Sequence, residues 1–539
     1  MKVLLKKNLP VILFLTIFIF GLKISDYYGV NGDDTIHQWI GSIFYQYFIE
    51  ILSLNFENKF KYQIINLSTD KHFWLWLGYS FFFEFISNSI NNLLNIQDLG
   101  EIYLIRNKIT FIFFFLSSIF LFKIILLRFK NYFFSYLALL FFYLCPRIFG
   151  ESFFNNKDIL FLSITVINLY CSYKFLENQK ITNLILFSIT AGILINIRFI
   201  GIIFPTIIYL IIFFENCEKK VLNYIPKIIF SLTIIFIIYL IFSPYLWIDF
   251  INSLKKIFFY TTIITSKTIF IVKYFGEYIP SSFTPWEFRL VWIFITIPEI
   301  LNILFVSGFL YFTFYFYNRL ILFEKKKKFW NNQNQKFDFY IFIITLIFFS
   351  LLIFVKNKFN GWRHFYFIYP LIIYFGIFFL YKTSKFKKLI KNLIYFLILL
   401  NLIKNTFTLI QFHPYQYVNL NYIHKYFIKK DFETDYFGVA LKHDLEFILN
   451  HDNRKLISVS SLGALSLGIQ SKILEKEKLK RFFFISFSDE KEKKADYLID
   501  NYHKAFTKNE KVDLEIYTKI RDLKVDNILI STIYKKKGI

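Results

Sequence analysis

The sequence predicts an α-helical polytopic membrane protein of about 11 transmembrane helices, followed by a small C-terminal extracytoplasmic α/β domain. Three observations lead there. Apolar runs long enough for ~30 Å of hydrocarbon, about 20 residues each, recur between residues 9 and 411. Of the 539 residues, 56% are hydrophobic and 19% charged, and the mean hydropathy is +0.47, which excludes an ordinary soluble enzyme. From residue 412 the texture changes: charges become dense, and short strand-like runs alternate with helical patterns.

Residues 1–24 pair a basic start (Lys2, Lys6, Lys7) with an apolar run, as a signal peptide does. No small-x-small cleavage site follows, and the bulky Lys23–Tyr28 stretch cannot serve as one, so an uncleaved first span is expected. Residues 25–108, polar in patches, are read as a first extracytoplasmic loop with interfacial helices at Gln38–Leu54 and Phe73–Leu94. Further spans are expected near 109–127, 133–146, 159–175, 182–197, 199–214, 225–246, 289–316, 338–355, 365–381 and 389–411. Arg198 interrupts this apolar sequence at a cost of about 2.5–3.5 kcal/mol on insertion scales, so it should face protein or a cavity. The transmembrane domain therefore covers 1–411 and the α/β domain 412–539. In the latter, strands are expected at Lys455–Ser460, Phe482–Ser486 and Asn527–Ile533, and helices at Phe437–Asn450 and Lys491–Lys504.

The formal charge of +25 does not point to nucleic acid. Abundant Phe, Ile, Lys, Asn and Tyr beside a single Met reflect an AT-rich coding bias, so where the basic residues lie matters more than their number. With the N-terminus in the cytoplasm, the inward loops hold Arg128/Lys130, Lys219/Lys220, Arg319 with Lys325–Lys328, and Lys382–Lys388. The outward loops are poorer in positive charge. This alternation puts Asp33/Asp34, the 147–158, 247–288 and 356–364 loops and everything after 412 on one extracytoplasmic face. Cys145, Cys171 and Cys217 are scattered and form no CxxC pair, so neither a disulfide framework nor a zinc site is indicated.

Chemistry-bearing residues gather on that face. In Asn31-Gly32-Asp33-Asp34-Thr35-Ile36-His37, the bland reading is an Asn-Gly turn with Asp34 capping a helix. The sharper reading makes one carboxylate a general base and the other its orienting neighbour, with His37 structural or a hydrogen-bonding partner for substrate. The Cys145–Asp158 loop carries Arg147, Asn155, Lys157 and Asp158, suited to a phosphate or sugar headgroup unless Arg147 and Lys157 are plain interfacial anchors. In Asn360–Pro370, Trp362, Arg363 and His364 stand at the outer end of a span, against the prevailing charge bias; the guanidinium fork matches a phosphate. Glu277, before Pro285-Trp286, adds a further acid. Asp33, Asp34 and Glu277 are a conceivable divalent-cation set, but no cofactor is expected. P-loop, GxGxxG, HExxH and GxSxG signatures are absent.

Taken in order, these stretches resemble the family 39 glycosyltransferases of the GT-C superfamily, which includes protein O-mannosyltransferases and lipid A aminoarabinose transferases. The likeness rests on Asp33-Asp34, on Pro146-Arg147-Ile148-Phe149-Gly150 through Lys157-Asp158, and on Gly276-Glu277-Tyr278 leading to Pro285-Trp286. It continues through Gly361-Trp362-Arg363-His364 to Tyr369-Pro370, and His413-Pro414-Tyr415-Gln416-Tyr417. It implies an inverting sugar transfer from a polyprenyl-phosphate donor to a lipid, glycan or protein acceptor, in a bacterial inner membrane, with Asp33 as base and basic residues on the lipid phosphate. Many members have Asp-Glu where this chain has Asp-Asp. The rival expectation is a transporter or flippase for a lipid-linked saccharide. Transporters place polar elements near the bilayer midplane, often within inverted repeats. Here the polar clusters collect at one surface, and no repeat is visible.

Overall fold

The computed structural model describes residues 2–53, 63–64, 66, 81–216, 224–259, 269–321, 330–384, 386–462, 467–485, 494–504 and 512–539. The chain begins with α1 (Lys2–Ile24), α2 (Asp34–Leu52), α3 (Phe81–Leu93) and α4 (Leu99–Phe129). It continues through α5 (Tyr132–Tyr143), α6 (Pro146–Glu151), α7 (Asp158–Glu177), α8 (Ile181–Ile197), α9 (Ile203–Asn216), α10 (Ile225–Ile241) and α11 (Phe250–Phe258). A hairpin of β1 (Ile271–Tyr274) and β2 (Glu277–Pro280) precedes α12 (Phe288–Thr296), α13 (Glu299–Ile321), α14 (Gln333–Phe354), α15 (Tyr369–Thr383) and α16 (Lys388–Gln411).

Local chemistry sets many of these boundaries. Asp98 starts α4 by accepting the Glu101 N–H, and Lys130, in the left-handed region, ends it. Asn131 and Asn332 cap α5 and α14 in the same way, and Pro146 opens α6 where its missing N–H costs nothing.

Seven helices among the described residues are long and apolar enough to cross a membrane: Leu9–Tyr27, Leu99–Phe129, Asp158–Glu177, Glu299–Ile321, Gln333–Phe354, Arg363–Thr383 and Lys388–Gln411. Four shorter apolar helices, Tyr132–Tyr143, Ile181–Ile197, Phe199–Glu215 and Ile225–Ile241, fill the remaining expected positions. Burial separates centre from rim. The apolar windows of Asp158–Glu177 and Arg363–Thr383 are each 83% buried, against 17% for Leu9–Tyr27 and 11% for Lys388–Gln411. Large exposed apolar side chains on the latter two, such as Ile19, Phe20, Leu389 and Leu393, suit contact with hydrocarbon rather than water. In the bundle α13 lies tight on α15, where Gly308 permits an approach that a Cβ, 2.0 Å from the Phe375 carbonyl oxygen, would block. At one end of α4, Arg128 grips Asp338 of α14 with two 2.5 Å hydrogen bonds, and Tyr374 of α15 donates to the same carboxylate.

The expected span 289–316 is two helices. Pro298 has no N–H to continue α12, and the carbonyls it frees are taken by side chains: Asn421 donates to Phe294 and Ile297 at 2.7 Å each, and Asn302 donates to Phe294 at 3.0 Å. A second difference is at α4, which starts at Leu99, well inside the stretch expected to be loop. The expected helix Gln38–Leu54 is α2, beginning four residues earlier at Asp34; of Phe73–Leu94, residues 73–80 lie outside the described ones and the rest is α3.

Beyond α16 stands a mixed five-stranded sheet: β3 (Ile457–Ser461), β4 (Phe482–Phe484), β5 (Tyr497–Asp500), β6 (Tyr517–Val525) and β7 (Ile528–Lys536), in spatial order β4-β3-β5-β7-β6. The β3 strand runs parallel to β4 and β5, whereas β7 is antiparallel to β5 and β6. Helix α17 (Leu441–His451) packs its apolar side, Leu441, Leu445 and Ile448, on this sheet. The expected helix Lys491–Lys504 is corrected. Its residues 491–493 lie outside the described ones, and the remainder contains β5, a central strand buried along its whole length, so neither polar alternation nor a helical stripe marks it.

Candidate functional site

The Asn31-Gly32 turn starts α2. Asn31 Oδ1 accepts the Asp33 N–H at 2.9 Å, and its carbonyl accepts the Asp34 N–H at 2.9 Å. Asp33 occupies the N-cap position, yet its side chain makes no capping hydrogen bond. Asp34 turns inward and is almost fully buried. Its carboxylate receives Arg106 of α4 in a fork, Nε at 2.9 Å and Nη2 at 2.5 Å, and the Asn156 amide at 2.6 Å. The other side of Arg106 grips Glu84 of α3, with Nη1 at 2.6 Å and Nη2 at 3.0 Å, while its guanidinium lies 5.0 Å from the Phe83 ring centre. Lys157 adds a third cation, 3.2 Å from Glu84. Burial raises the proton affinity of Glu84, but Arg106 and Lys157 outweigh it and hold the carboxyl below its ordinary range. Burial also lowers the Lys157 pKa, against the pull of Glu84. His37, one turn into α2, is buried; desolvation first, then the charges of Lys157, Arg106 and Arg363, hold its imidazole pKa well below the ordinary value.

A second layer comes from the α6 loop and the start of α7. Asp158 accepts from Arg198, which sits where α8 ends in extended backbone; Arg198 also donates to the His364 carbonyl at 3.0 Å. Arg198, expected from its apolar surroundings to face protein or a cavity, faces protein. Asn155 bridges Glu151 (2.6 Å) and Asp158 (2.9 Å). Glu151 in turn accepts from Tyr366 at 2.5 Å and from Tyr436, and burial raises its pKa despite nearby Arg147. Arg147 is buried over the Trp292 ring at 5.1 Å and stands 3.6 Å from Glu151, its Nε and Nη2 without hydrogen-bond partners among the described residues. This loop is held by Gly150, where a Cβ would come within 2.6 Å of the Tyr417 nitrogen. Two motifs far apart in sequence therefore meet only because this residue is glycine.

Arg363 closes the site. Its Nη1 lies 3.6 Å from Asp33 Oδ2, and its Nε lies 4.0 Å from Asp158. One face of its guanidinium is covered by Phe437 at 4.4 Å and Tyr436 at 5.4 Å, and the Phe437 carbonyl accepts the Gly32 N–H at 3.1 Å. Five cations (Arg106, Arg147, Lys157, Arg198, Arg363) and five carboxylates (Asp33, Asp34, Glu84, Glu151, Asp158) thus form one nearly neutral cluster. Within it the Asp33 side chain is 37% exposed and the other four acids 4% or less, so Asp33 is the carboxylate that an incoming molecule can reach.

Of the residues singled out from sequence, the structure brings together Asp33, Asp34, His37, Arg147, Asn155, Lys157, Asp158 and Arg363. Trp362 is buried behind them, its indole N–H donating to Thr296 Oγ1 at 2.8 Å, and His364 takes part through its carbonyl. Glu277 is not brought in: it is exposed at the β1–β2 turn, opposite Tyr274, beside a Gly276 N–H that donates to the Asp431 carbonyl. Among the described residues no group of three or more His, Cys, Asp or Glu is placed to hold a metal ion. Sequence reasoning passed over Arg106, Glu84, Glu151 and Tyr436. Arg106 carried a usable signal, a lone arginine between polar loop and apolar run, whereas Tyr436 lies in the C-terminal region and carried none.

Residues 105–248 match the family described as dolichyl-phosphate-mannose-protein mannosyltransferase, in the group that the ordered motifs resemble. Among solved structures the chain is similar to ArnT from Cupriavidus metallidurans bound to undecaprenyl phosphate, with 9% identity and a TM-score of 0.43 over 98% of each chain. No curated protein matches it.

Proposed function

We propose that this protein is a membrane glycosyltransferase that moves a sugar from a polyprenyl-phosphate donor to an acceptor hydroxyl. The reading is carried by the apposition of Asp33, the reachable carboxylate, with Arg363 at 3.6 Å. Asp33 takes the proton of the acceptor hydroxyl as its oxygen attacks the anomeric carbon, and the bond to the lipid phosphate breaks on the opposite face, inverting the centre. The leaving phosphate gains negative charge, which Arg363 meets with a guanidinium pre-set by Phe437 and by Asp158. Asp34 does not serve as a base in this scheme, because Arg106 and Asn156 occupy its lone pairs. Arg147 and Lys157 act from beneath, through the field of the cluster. The family match over residues 105–248, whose description names a lipid-phosphate sugar donor, supports the donor class. The charge bias of the loops supports a plasma-membrane protein with its N-terminus in the cytoplasm and this site on the outer face.

The test is sugar transfer by the purified, liposome-reconstituted protein from a radiolabelled polyprenyl-phosphate sugar. Asp33→Asn, folded like the parent, is expected to lose about 10²–10⁴-fold in rate, the contribution of a positioned base. An Asp33→Asn protein as fast as the parent overturns the base assignment. Translocation of the labelled lipid without transfer overturns the enzyme reading in favour of a flippase.

A further inference from the structure

A cavity of about 640 Å³ opens at the seam between the C-terminal sheet, the β1–β2 hairpin and the segment after α16. It is not the Asp33 site, but the two share a wall, residues 432–437. On one side, Phe432, Glu433 and Asp435 line the cavity. On the other, Tyr436 and Phe437 cover Arg363, and Phe432 packs 5.3 Å from Trp292, whose ring carries Arg147.

We propose that this cavity is a binding site for a neutral saccharide. Its volume falls in the ligand-pocket range of ~300–1,000 Å³ and suits a short oligosaccharide. Its lysines and carboxylates are equal in number: Lys273 pairs with Asp431 at 3.1 Å and Lys425 with Asp526 at 2.9 Å, and the exposed Lys429 and Lys430 are matched in count by the buried Glu433, held by His503, and Asp435, held by backbone N–H groups. Counted over lysines and carboxylates, the lining carries no net positive charge to favour a phosphate. Hydroxyl groups, which donate and accept, find both kinds of partner. The Glu433–His503 pair, 2.6 Å apart, presents a carboxylate and a ring nitrogen, and both residues are buried. Asn501 is 2% exposed, and its Nδ2 has no hydrogen-bond partner among the described residues, which leaves a buried donor for an incoming oxygen. Tyr502, half-buried in the lining, supplies ring surface for the apolar face of a sugar. Assigning this saccharide to the acceptor, as a portion remote from the reacting hydroxyl, rests on the transferase reading; its binding does not.

The test is saturation-transfer NMR on the full chain in nanodiscs with N,N′-diacetylchitobiose and with maltose as probes. At least one disaccharide is expected to receive saturation and to keep it when excess inorganic phosphate is added. Thr434→Trp, at a partly exposed position of the lining, fills the cavity and is expected to abolish the signal. Asn501→Leu removes the unpaired donor and is expected to weaken binding about tenfold, near one hydrogen bond's worth, which decides the matter should the Trp variant not fold. Asp33→Asn should bind like the parent, so failure of this proposal and failure of the transferase reading give different results. The proposal is overturned if neither disaccharide is saturated, if phosphate displaces them, or if both cavity variants bind like the parent.

Discussion

Asp33 and Asp34 are neighbours with opposite assignments, and Asp34→Asn is the substitution that separates them. In the parent, the Asp34 carboxylate accepts three hydrogen bonds, two from Arg106 and one from Asn156, with the Arg106 and Asp34 side chains 0% and 2% exposed. An amide offers one acceptor oxygen, and its NH₂ meets donors that repel it. The amide NH₂ takes the place of the oxygen that met Arg106 Nε, the other two bonds lose their charged acceptor, and Arg106 is left with one counter-charge fewer, so the expected destabilisation is about 3–5 kcal/mol, the range for breaking a buried pair. Against a typical stability of about 5–15 kcal/mol this is a large fraction. The assay is thermal unfolding of the purified protein in detergent, followed by intrinsic fluorescence, with transfer measured on the folded fraction. Asp34→Asn is expected to melt well below the parent and Asp33→Asn beside it. Arg106→Lys, which keeps the charge but not the fork, should melt between them. An Asp34→Asn protein that melts with the parent yet transfers nothing would refute the reasoning, since Asp34 would then be doing chemistry rather than holding Arg106.

Arg363→Lys loses both the fork and the stacking on Phe437, so the KM for the lipid-phosphate donor is expected to rise about tenfold with the fold intact; an unchanged KM removes Arg363 from the phosphate. Gly150→Ala forces a Cβ against the Tyr417 nitrogen and is expected to cost about 1–3 kcal/mol, read as a lower melting temperature. Asp444 in α17 is fully buried, and its carboxyl is pushed up from 3.8 to about 7, by burial above all. Its contribution to stability is complete below about pH 4 and is lost as pH rises through 7, because only the unfolded chain releases the proton in between. Three units at ~1.4 kcal/mol each give a loss on the order of 4 kcal/mol, and Asp444→Asn should flatten the fall in melting temperature between pH 4 and 7.

The apolar runs were readable because lipid and core impose the same demand on a helix, and most of the expected spans are helices, 289–316 being split in two. What was hidden is tertiary. The first turns of α4 carry Glu101, Arg106, Asn107 and Lys108, a composition that reads as loop until Arg106 is seen between Asp34 and Glu84. Pro298 was a local signal that the single expected span 289–316 overrode, and its cost is met by Asn421, far along the chain, which no local pattern reveals. Asp33 was legible as a candidate; that Asp34 is already engaged was not, because the distinction depends on which way two adjacent side chains turn. The C-terminal strand β5 escaped for the opposite reason, since both its faces are covered and it shows no period at all.

The Arg106 clamp also dictates an order of assembly. Asp34 and Glu84 leave the ribosome ahead of the arginine that neutralises them, and Asn156 and Lys157 follow only after two more helices. Until Arg106 arrives these two acids stay hydrated, so α2 and α3 cannot dock dry on each other before α4 emerges. The last piece to arrive is Phe437, the cover of Arg363, made after every span is in place. A nascent chain halted before that point carries both Asp33 and Arg363 but leaves the guanidinium without its aromatic cover.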